Sequence, residues 1–392
     1  MGFLRLARTI FAVNFFVIGI HSLWADAPSL NPRARSLSMG SAGVALKGGV
    51  DSASMNPAGL ADVEKPYWSV FDLTLQSPYD FGIVSTANDY RSAAKGSDEA
   101  KKRETLEKFI REVQSTSQTL DVSFYPSYTR KNLHIGFLVN AGLEGRLYGG
   151  GVGADLLARG GDSNITAGLI AAGSYSFLNQ SLQVGVTLKP LYRFAVFESA
   201  DQRPLDLAKG KNRIGSTQVG VKNMIFGESS TDNRAFGFGA DLGVKYWMQP
   251  VGQSRVDEWI QRLRPSFGLT LQDVANTRFF TSKKIPADIK QSLSMGFALQ
   301  PVWKWIEGAI AFDLRNVLEE GAFENKVHMG AEARIKRFFL IRVGLSQLYL
   351  GGGLGLDFKY FQLDAFFNQE EAYEYAANRP LRTLGLRVAA GF

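Results

Sequence analysis

The closing residues of the chain, Arg382 to Phe392, alternate without a break. Leu384, Leu386, Val388, Ala390 and Phe392 share one face of an extended backbone, and Thr383, Gly385, Arg387, Ala389 and Gly391 share the other. A period of two sends successive side chains to opposite faces, so the stretch reads as a strand with one apolar face and one small or polar face. In water the apolar face turns inward. In a lipid-facing barrel the sense reverses, with apolar residues toward hydrocarbon and polar ones toward a lumen. A single strand fits either arrangement.

The same alternation recurs along the chain. Phe236, Phe238, Ala240, Leu242 and Val244 oppose Gly237, Gly239, Asp241, Gly243 and Lys245. Val327, Met329, Ala331, Ala333 and Ile335 oppose His328, Gly330, Glu332 and Arg334, and Phe361, Leu363, Ala365 and Phe367 oppose Gln362, Asp364, Phe366 and Asn368. Candidate strands are 67–75, 80–88, 120–128, 134–143, 164–177, 182–197, 235–247, 265–272, 291–300, 307–315, 326–336, 338–347, 351–359, 360–368 and 382–392. A soluble sandwich and a membrane barrel both accommodate such a series. Three features favour the barrel. The polar face is rich in Gly and mixed charge, as a crowded lumen needs. Trp and Tyr gather at strand ends (Tyr67-Trp68, Tyr246-Trp247, Trp303 with Trp305, Tyr373 with Tyr375), as interfacial girdles do. The strands also match the ~9–11 residues of a tilted span. The expectation is an all-β chain: a transmembrane antiparallel β-barrel of about fourteen strands over 67–392, with an even strand count.

The amino-terminus speaks to compartment. Arg5 and Arg8 precede an almost wholly apolar run from Thr9 to Ile20, and Ala25 or Ala27 offers a small residue for cleavage. That is the layout of a secretory signal peptide over 1–25, shorter than the ~20 apolar residues of a spanning helix. With no Cys there is no lipid-attachment cysteine, disulfide framework or thiolate metal site. The formal charge of +7 falls to about +5 without Arg5 and Arg8, and basic residues are interspersed with acidic ones, so no basic stripe argues for nucleic acid.

Two inserts change period. Between 97 and 118, Leu106, Phe109, Ile110 and Val113 fall at helical spacing, with Glu104/Lys108 and Glu107/Arg111 as i,i+4 pairs. A shorter version at 254–263 places Val256, Trp259, Ile260 and Leu263 on one stripe. Each is either an amphipathic helix lying on the membrane or at a pore mouth, or a helix packed on the barrel rim. A third stretch, 199–234, reads as a long loop.

Residues 26–66 are not strand-like, and small residues dominate them. Irregular backbone at membrane depth is tolerated where protein surrounds it, a condition met by a plug within the lumen. The run Ala34-Arg35-Ser36-Leu37-Ser38-Met39-Gly40-Ser41-Ala42-Gly43-Val44-Ala45, then Asp51, then Asn56-Pro57-Ala58-Gly59-Leu60, ahead of a barrel ending in Phe392, resembles the FadL/PorV-like superfamily of outer-membrane proteins. The FadL branch implies a fourteen-stranded barrel in a Gram-negative-type outer membrane, closed by an amino-terminal plug that holds Met39, Asn56, Pro57 and Ala58. It further implies passive uptake of hydrophobic, fatty-acid-like molecules. The PorV-like branch, and TraF-like plasmid-transfer relatives, imply a scaffold that docks an exported protein or a secretion complex. Phe392 resembles the terminal signal read by barrel-assembly machinery.

Catalytic groups are scarce. The three His residues are His21 in the leader, His134 at a strand start and His328 on a polar face, and no HExxH or GxSxG motif is present. The Gly149–Gly151 and Gly351–Gly353 clusters lack the following helix of a phosphate loop. No enzyme, cofactor or metal is expected. The polar faces carry Asp313, Arg315, Glu332, Arg334, Arg342, Asp364 and Arg387. These either neutralise one another across neighbouring strands, anchor the plug or meet a ligand head group.

Overall fold

The computed structural model of the chain describes residues 34–79, 81–114, 118–149, 157–201, 234–280, 288–319, 321–371 and 380–392. The expected leader, most of the expected loop at 199–234, and Tyr373 and Tyr375 lie outside the described residues.

Fourteen strands form the wall. They are β1 Tyr67–Pro78, β2 in two pieces (Gln118–Phe124 and Ser127–Arg130), β3 Leu133–Gly149, β4 Leu157–Phe177 and β5 Leu182–Asp201. Then come β6 Arg234–Trp247, β7 Ser266–Gln272, β8 Ser292–Leu299, β9 Ile306–Leu314 and β10 Val327–Ile335. The last four are β11 Phe339–Ser346, β12 Tyr349–Asp357, β13 Phe361–Glu371 and β14 Pro380–Gly391. Each strand pairs with its neighbour in chain order, and β14 returns to β1 from Ser69 opposite Gly391 to Pro78 opposite Thr383. Closure leaves no sheet edge, as hydrocarbon surroundings demand.

The wall is inside out relative to a soluble protein. Along β6, Phe236 and Leu242 are about half exposed (50% and 49%), whereas Asp241 and Lys245 are 1% and 0% exposed. Phe312, Val343, Leu354 and Leu386 stand outward in the same way, while His328, Glu332, Arg342 and Arg387 are buried. A soluble sandwich would reverse this assignment. The exterior is a lipid-facing band, and the chain is a membrane barrel.

The connections differ between the two rims. The lower rim holds the start of β1 and the end of β14, and has short turns at 131–132, 178–181, 336–338 and 358–360. The upper rim carries the longer connections, and β3, β4 and β5 run 17, 21 and 20 residues, well past what a span requires.

One expected strand is absent. Residues 80–88 were to be extended, but after two short helices ahead of β1 (α1 Ala34–Ser38 and α2 Ser52–Met55), Phe81–Ala94 is a helix, α3, followed by a further helix, α4 Glu99–Gln114, in the β1–β2 connection. Phe81-Gly82-Ile83-Val84 is a short apolar run, which periodicity alone cannot assign. What decides it is the neighbour: Tyr90 of α3 stacks on Phe109 of α4 with ring centroids 6.5 Å apart. Removing that strand from the fifteen expected leaves fourteen. The lower rim carries α5, Arg255–Leu263, where a helix was expected. No helix among the described residues is long and apolar enough to cross a membrane.

Candidate functional site

The lumen is occupied by residues 34–64. This inner segment contains a helical turn at Ala34–Ser38, another at Ser52–Met55 and a 3-10 turn at Pro57–Asp62. Its backbone lies against the wall where inward positions are glycine. A Cβ at Gly344 or Gly330 would overlap Met39 and Gly40, one at Gly268 would overlap Val44, and one at Gly185 or Gly243 would overlap the Asn56–Ala58 stretch. Gly40 itself has φ +63 and abuts the Leu345 backbone, so a side chain there meets both conformational strain and contact. The wall glycines thus form a track shaped for main chain.

Asn56 is the hub of the segment. Its Oδ1 accepts from Ala58 N (3.1 Å), capping the 3-10 turn, and its Nδ2 donates to Val44 O (2.9 Å) and to Val244 O of β6 (3.1 Å). Pro57 sits at the first position of that turn, where a missing N–H costs nothing. Met39 is fully buried among Ala42, Ala298, Ala309 and Ala311.

Several wall side chains hold the segment. Asp313 Oδ2 accepts from Gly43 N (2.6 Å) and Val44 N (2.9 Å), Arg315 donates to Ser41 O (3.2 Å), and His328 Nδ1 bonds Gly40 O (2.9 Å). Ser266 donates to Ala45 O, Thr187 to Ala53 O and Gln272 to Ser54 O. At the lower end Asp62 accepts from Gln183, Lys245 and Trp247. Trp247 therefore turns into the lumen instead of joining the girdle expected at Tyr246-Trp247, because its indole N–H finds this carboxylate. Beside it Lys47 pairs with the exposed Glu64 at 2.5 Å and holds that carboxyl below its ordinary range.

Of the remaining expected charges, Glu332, Arg342, Asp364 and Arg387 lie in one chain of alternating sign. Arg35 of the inner segment pairs with Glu332 (2.8 Å), Glu332 with Arg342 (2.7 Å), Arg342 with Asp364 (2.7 Å), Asp364 with Arg387 (3.1 Å) and Arg387 with Asp72 of β1 (2.7 Å). Arg342 reaches Asp364 across β12 because that strand presents Gly353 and Gly355 inward. The Gly351–Gly353 cluster is thus part of a strand and leaves room for both the ion pairs and α-helical Leu37 and Ser38. Arg334 stands apart, paired with Asp357 at 2.9 Å and partly exposed. A second buried group joins Lys189 to Asp241 and Asp273, each at 2.7 Å.

Sequence patterning missed the other half of the lumen. Leu138, Ile170, Ala172, Leu191 and Ala235 point inward from β3 to β6, and with Tyr125 at the break in β2 they form one buried apolar cluster. Phe279 and Ile289 of the β7–β8 connection top it, and Ala53, Leu60 and Val63 of the inner segment continue it. Leu60 O accepts from Asn132 N at the lower rim, and Phe280 N donates to Phe236 O near the start of β6, so the cluster spans the height of the lumen. Arg193 flanks its upper part, 4.6 Å from the Phe279 ring centroid and bonded to Thr166 (2.9 Å). The available signal was continuity: Ile135 to Val139 and Leu169 to Ala172 are apolar runs in which alternation is blurred because both faces carry apolar residues.

A small open recess borders the inner segment at Arg35, Lys47, Asp51, Met55 and Asn56. Among the described residues no three His, Asp or Glu converge as a metal ion would require.

No protein-family model matches the chain, and no curated protein matches it in sequence. Solved structures do. The Ralstonia pickettii toluene transporter TbuX superposes with a TM-score of 0.50 at 14% identity, over 93% of this chain and 98% of its own. The Pseudomonas putida toluene transporter TodX gives 0.43 at 12% identity over 95% and 98%, and a Pseudomonas aeruginosa FadL homologue gives 0.35 at 10% over 93% and 98%. At the identity of TbuX the likeness concerns the fold. The closed antiparallel barrel of fourteen strands expected from the sequence is the architecture observed.

Proposed function

We propose that this FadL-type barrel is an outer-membrane channel that admits small hydrophobic or amphipathic molecules by diffusion, with residues 34–64 serving as its plug. The observation that carries the reading is the apolar column from Phe279 and Ile289 to Leu60 and Val63, in a lumen that also carries chains of buried ion pairs. A polar solute gains nothing from such a column, whereas an aromatic or alkyl group exchanges water for Leu, Ile and Phe contacts. The toluene transport named for TbuX fits a path of this chemistry. For a molecule with a carboxylate, Arg193 at the top of the column supplies the matching guanidinium.

The wall bonds bear on how the path opens. At ~0.5–1.5 kcal/mol net each, the hydrogen bonds holding the inner segment together rival the ~5–15 kcal/mol stability of a whole domain. Ejecting the segment for each passage is therefore disfavoured. The proposed route runs along its apolar edge at Ala53, Leu60 and Val63, with the β7–β8 connection moving aside and the Asn56-Pro57-Ala58 hub staying in place. No energy source, cofactor or chemical step is involved.

Photolabelling tests the path. In outer-membrane preparations a small aromatic diazirine should modify inward Leu138 and Leu191, and the labelling should fall when excess toluene is added. Modification confined to outward residues such as Phe137 and Tyr192 would reject the column as a binding path. The density of the wall bonds also favours a second reading, a filled barrel that serves as a docking scaffold for an exported protein. A protein that co-purifies in fixed ratio, together with no lumen labelling, would support that reading instead.

A further inference from the structure

We propose that α5 is a membrane-interface anchor whose exposed apolar stripe lies in the phospholipid leaflet at the lower rim. A capping box starts the helix: Ser254 Oγ accepts from Asp257 N, and Asp257 Oδ2 accepts from Ser254 N (3.0 Å). Val256, Trp259, Ile260 and Leu263 then fall at i, i+3, i+4 and i+7, a single stripe flanked by Arg255, Glu258 and Arg262. If α5 were a helix packed on the rim, this stripe would be covered. No residue of α5 is buried: Ile260 and Leu263, near the attached end, are partly covered, and Val256 and Trp259 are 65% and 59% exposed.

The helix is nevertheless held at the rim. Gln300 N donates to Leu263 O (2.7 Å), Met248 N donates to Pro265 O (3.1 Å), and Arg264 at the carboxyl end lies over the Trp247 ring. The attachment at Gln300 joins α5 to the β8–β9 connection, where Trp303 and Trp305 are also exposed. Tyr246 and Met248, exposed on the outer face of β6 and just beyond it, carry the lipid-facing band down to this point. The unpartnered stripe is therefore continuous with a surface already in contact with lipid. Trp at the boundary, with Arg255, Arg262 and Lys304 beside it for lipid phosphates, is the composition of a helix lying in the interface plane. The occupant of the stripe is the acyl boundary of the leaflet around the barrel.

The absence of Cys allows site-specific labelling of the full chain. Val256→Cys, Trp259→Cys and Glu258→Cys, each carrying an environment-sensitive NBD label, are reconstituted in phosphatidylethanolamine–phosphatidylglycerol vesicles, with heat-modifiable gel migration confirming the barrel. The expected result is blue-shifted emission quenched by spin-labelled lipid at 256 and 259, and iodide quenching at 258. If one apolar-site variant does not fold, the other reports. Three results would overturn the proposal: iodide access at 256 and 259 equal to that at 258; protection from both quenchers, which means packing on protein; or lipid-quencher silence that ends in shielding only when a periplasmic extract is added, which means a protein occupant.

Discussion

Arg387 sits on the strand whose alternation first pointed to a barrel, and it closes the seam between β14 and β1. Its guanidinium bonds Asp72 through Nε (2.7 Å) and Nη2 (2.8 Å), and reaches Asp364 through Nη1. Arg387→Met strands two buried carboxylates and should destabilise the barrel by about 3–5 kcal/mol. Asp72→Asn with Arg387→Gln should recover part of that loss in a double-mutant cycle, read from urea midpoints of the heat-modifiable form. Inward glycines act through space instead of charge. Gly344→Val should drive Met39 and Gly40 off the wall and raise ion conductance in planar bilayers, while outward Val343→Ile leaves conductance unchanged. The charged lumen residues were legible because each falls on the polar side of a clear alternation. Their partners were not, since pairing Arg342 with Asp364 depends on register and on the glycines of the strand between them.

At the scale of elements, the wall strands and α5 followed from periodicity, whereas α3 did not. Its apolar start has strand-like composition, and its helical state rests on packing against α4, a contact between segments that local pattern does not carry. Replacing 80–114 by a short Gly/Ser linker should therefore leave β1 and β2 paired, with normal heat-modifiable migration. The capping box of α5 has a pH signature. Hydrogen bonds from Ser254 and from the Val251, Ser254 and Gly252 backbone hold the Asp257 carboxyl below its ordinary range, at about 2. A depressed carboxylate contributes stability above its ordinary value and loses it as pH falls through the lowered one. Amide exchange in α5 should accordingly stay slow, relative to the intrinsic rate, near pH 4 and lose protection toward pH 2. In Asp257→Asn that dependence should vanish.

For the whole molecule, the division of the lumen is what matters. The ion-pair chain runs from β10 through β14 to β1, and the apolar column runs along β3 to β6 beside the Lys189–Asp241–Asp273 group, while both sides hold the inner segment. The first half was visible as alternation of apolar with charged residues. The second was hidden because an apolar residue facing inward next to apolar residues facing lipid erases the period on which strand reading depends, as at Phe137-Leu138-Val139. The proposal that the column conducts hydrophobic molecules is tested most directly by uptake of the fluorophore phenylnaphthylamine into cells with an intact lipopolysaccharide outer leaflet. Cells producing the wild-type barrel should take it up faster than cells producing Leu138→Asp with Leu191→Asp, at equal amounts of heat-modifiable protein. Equal uptake by the two would contradict the account.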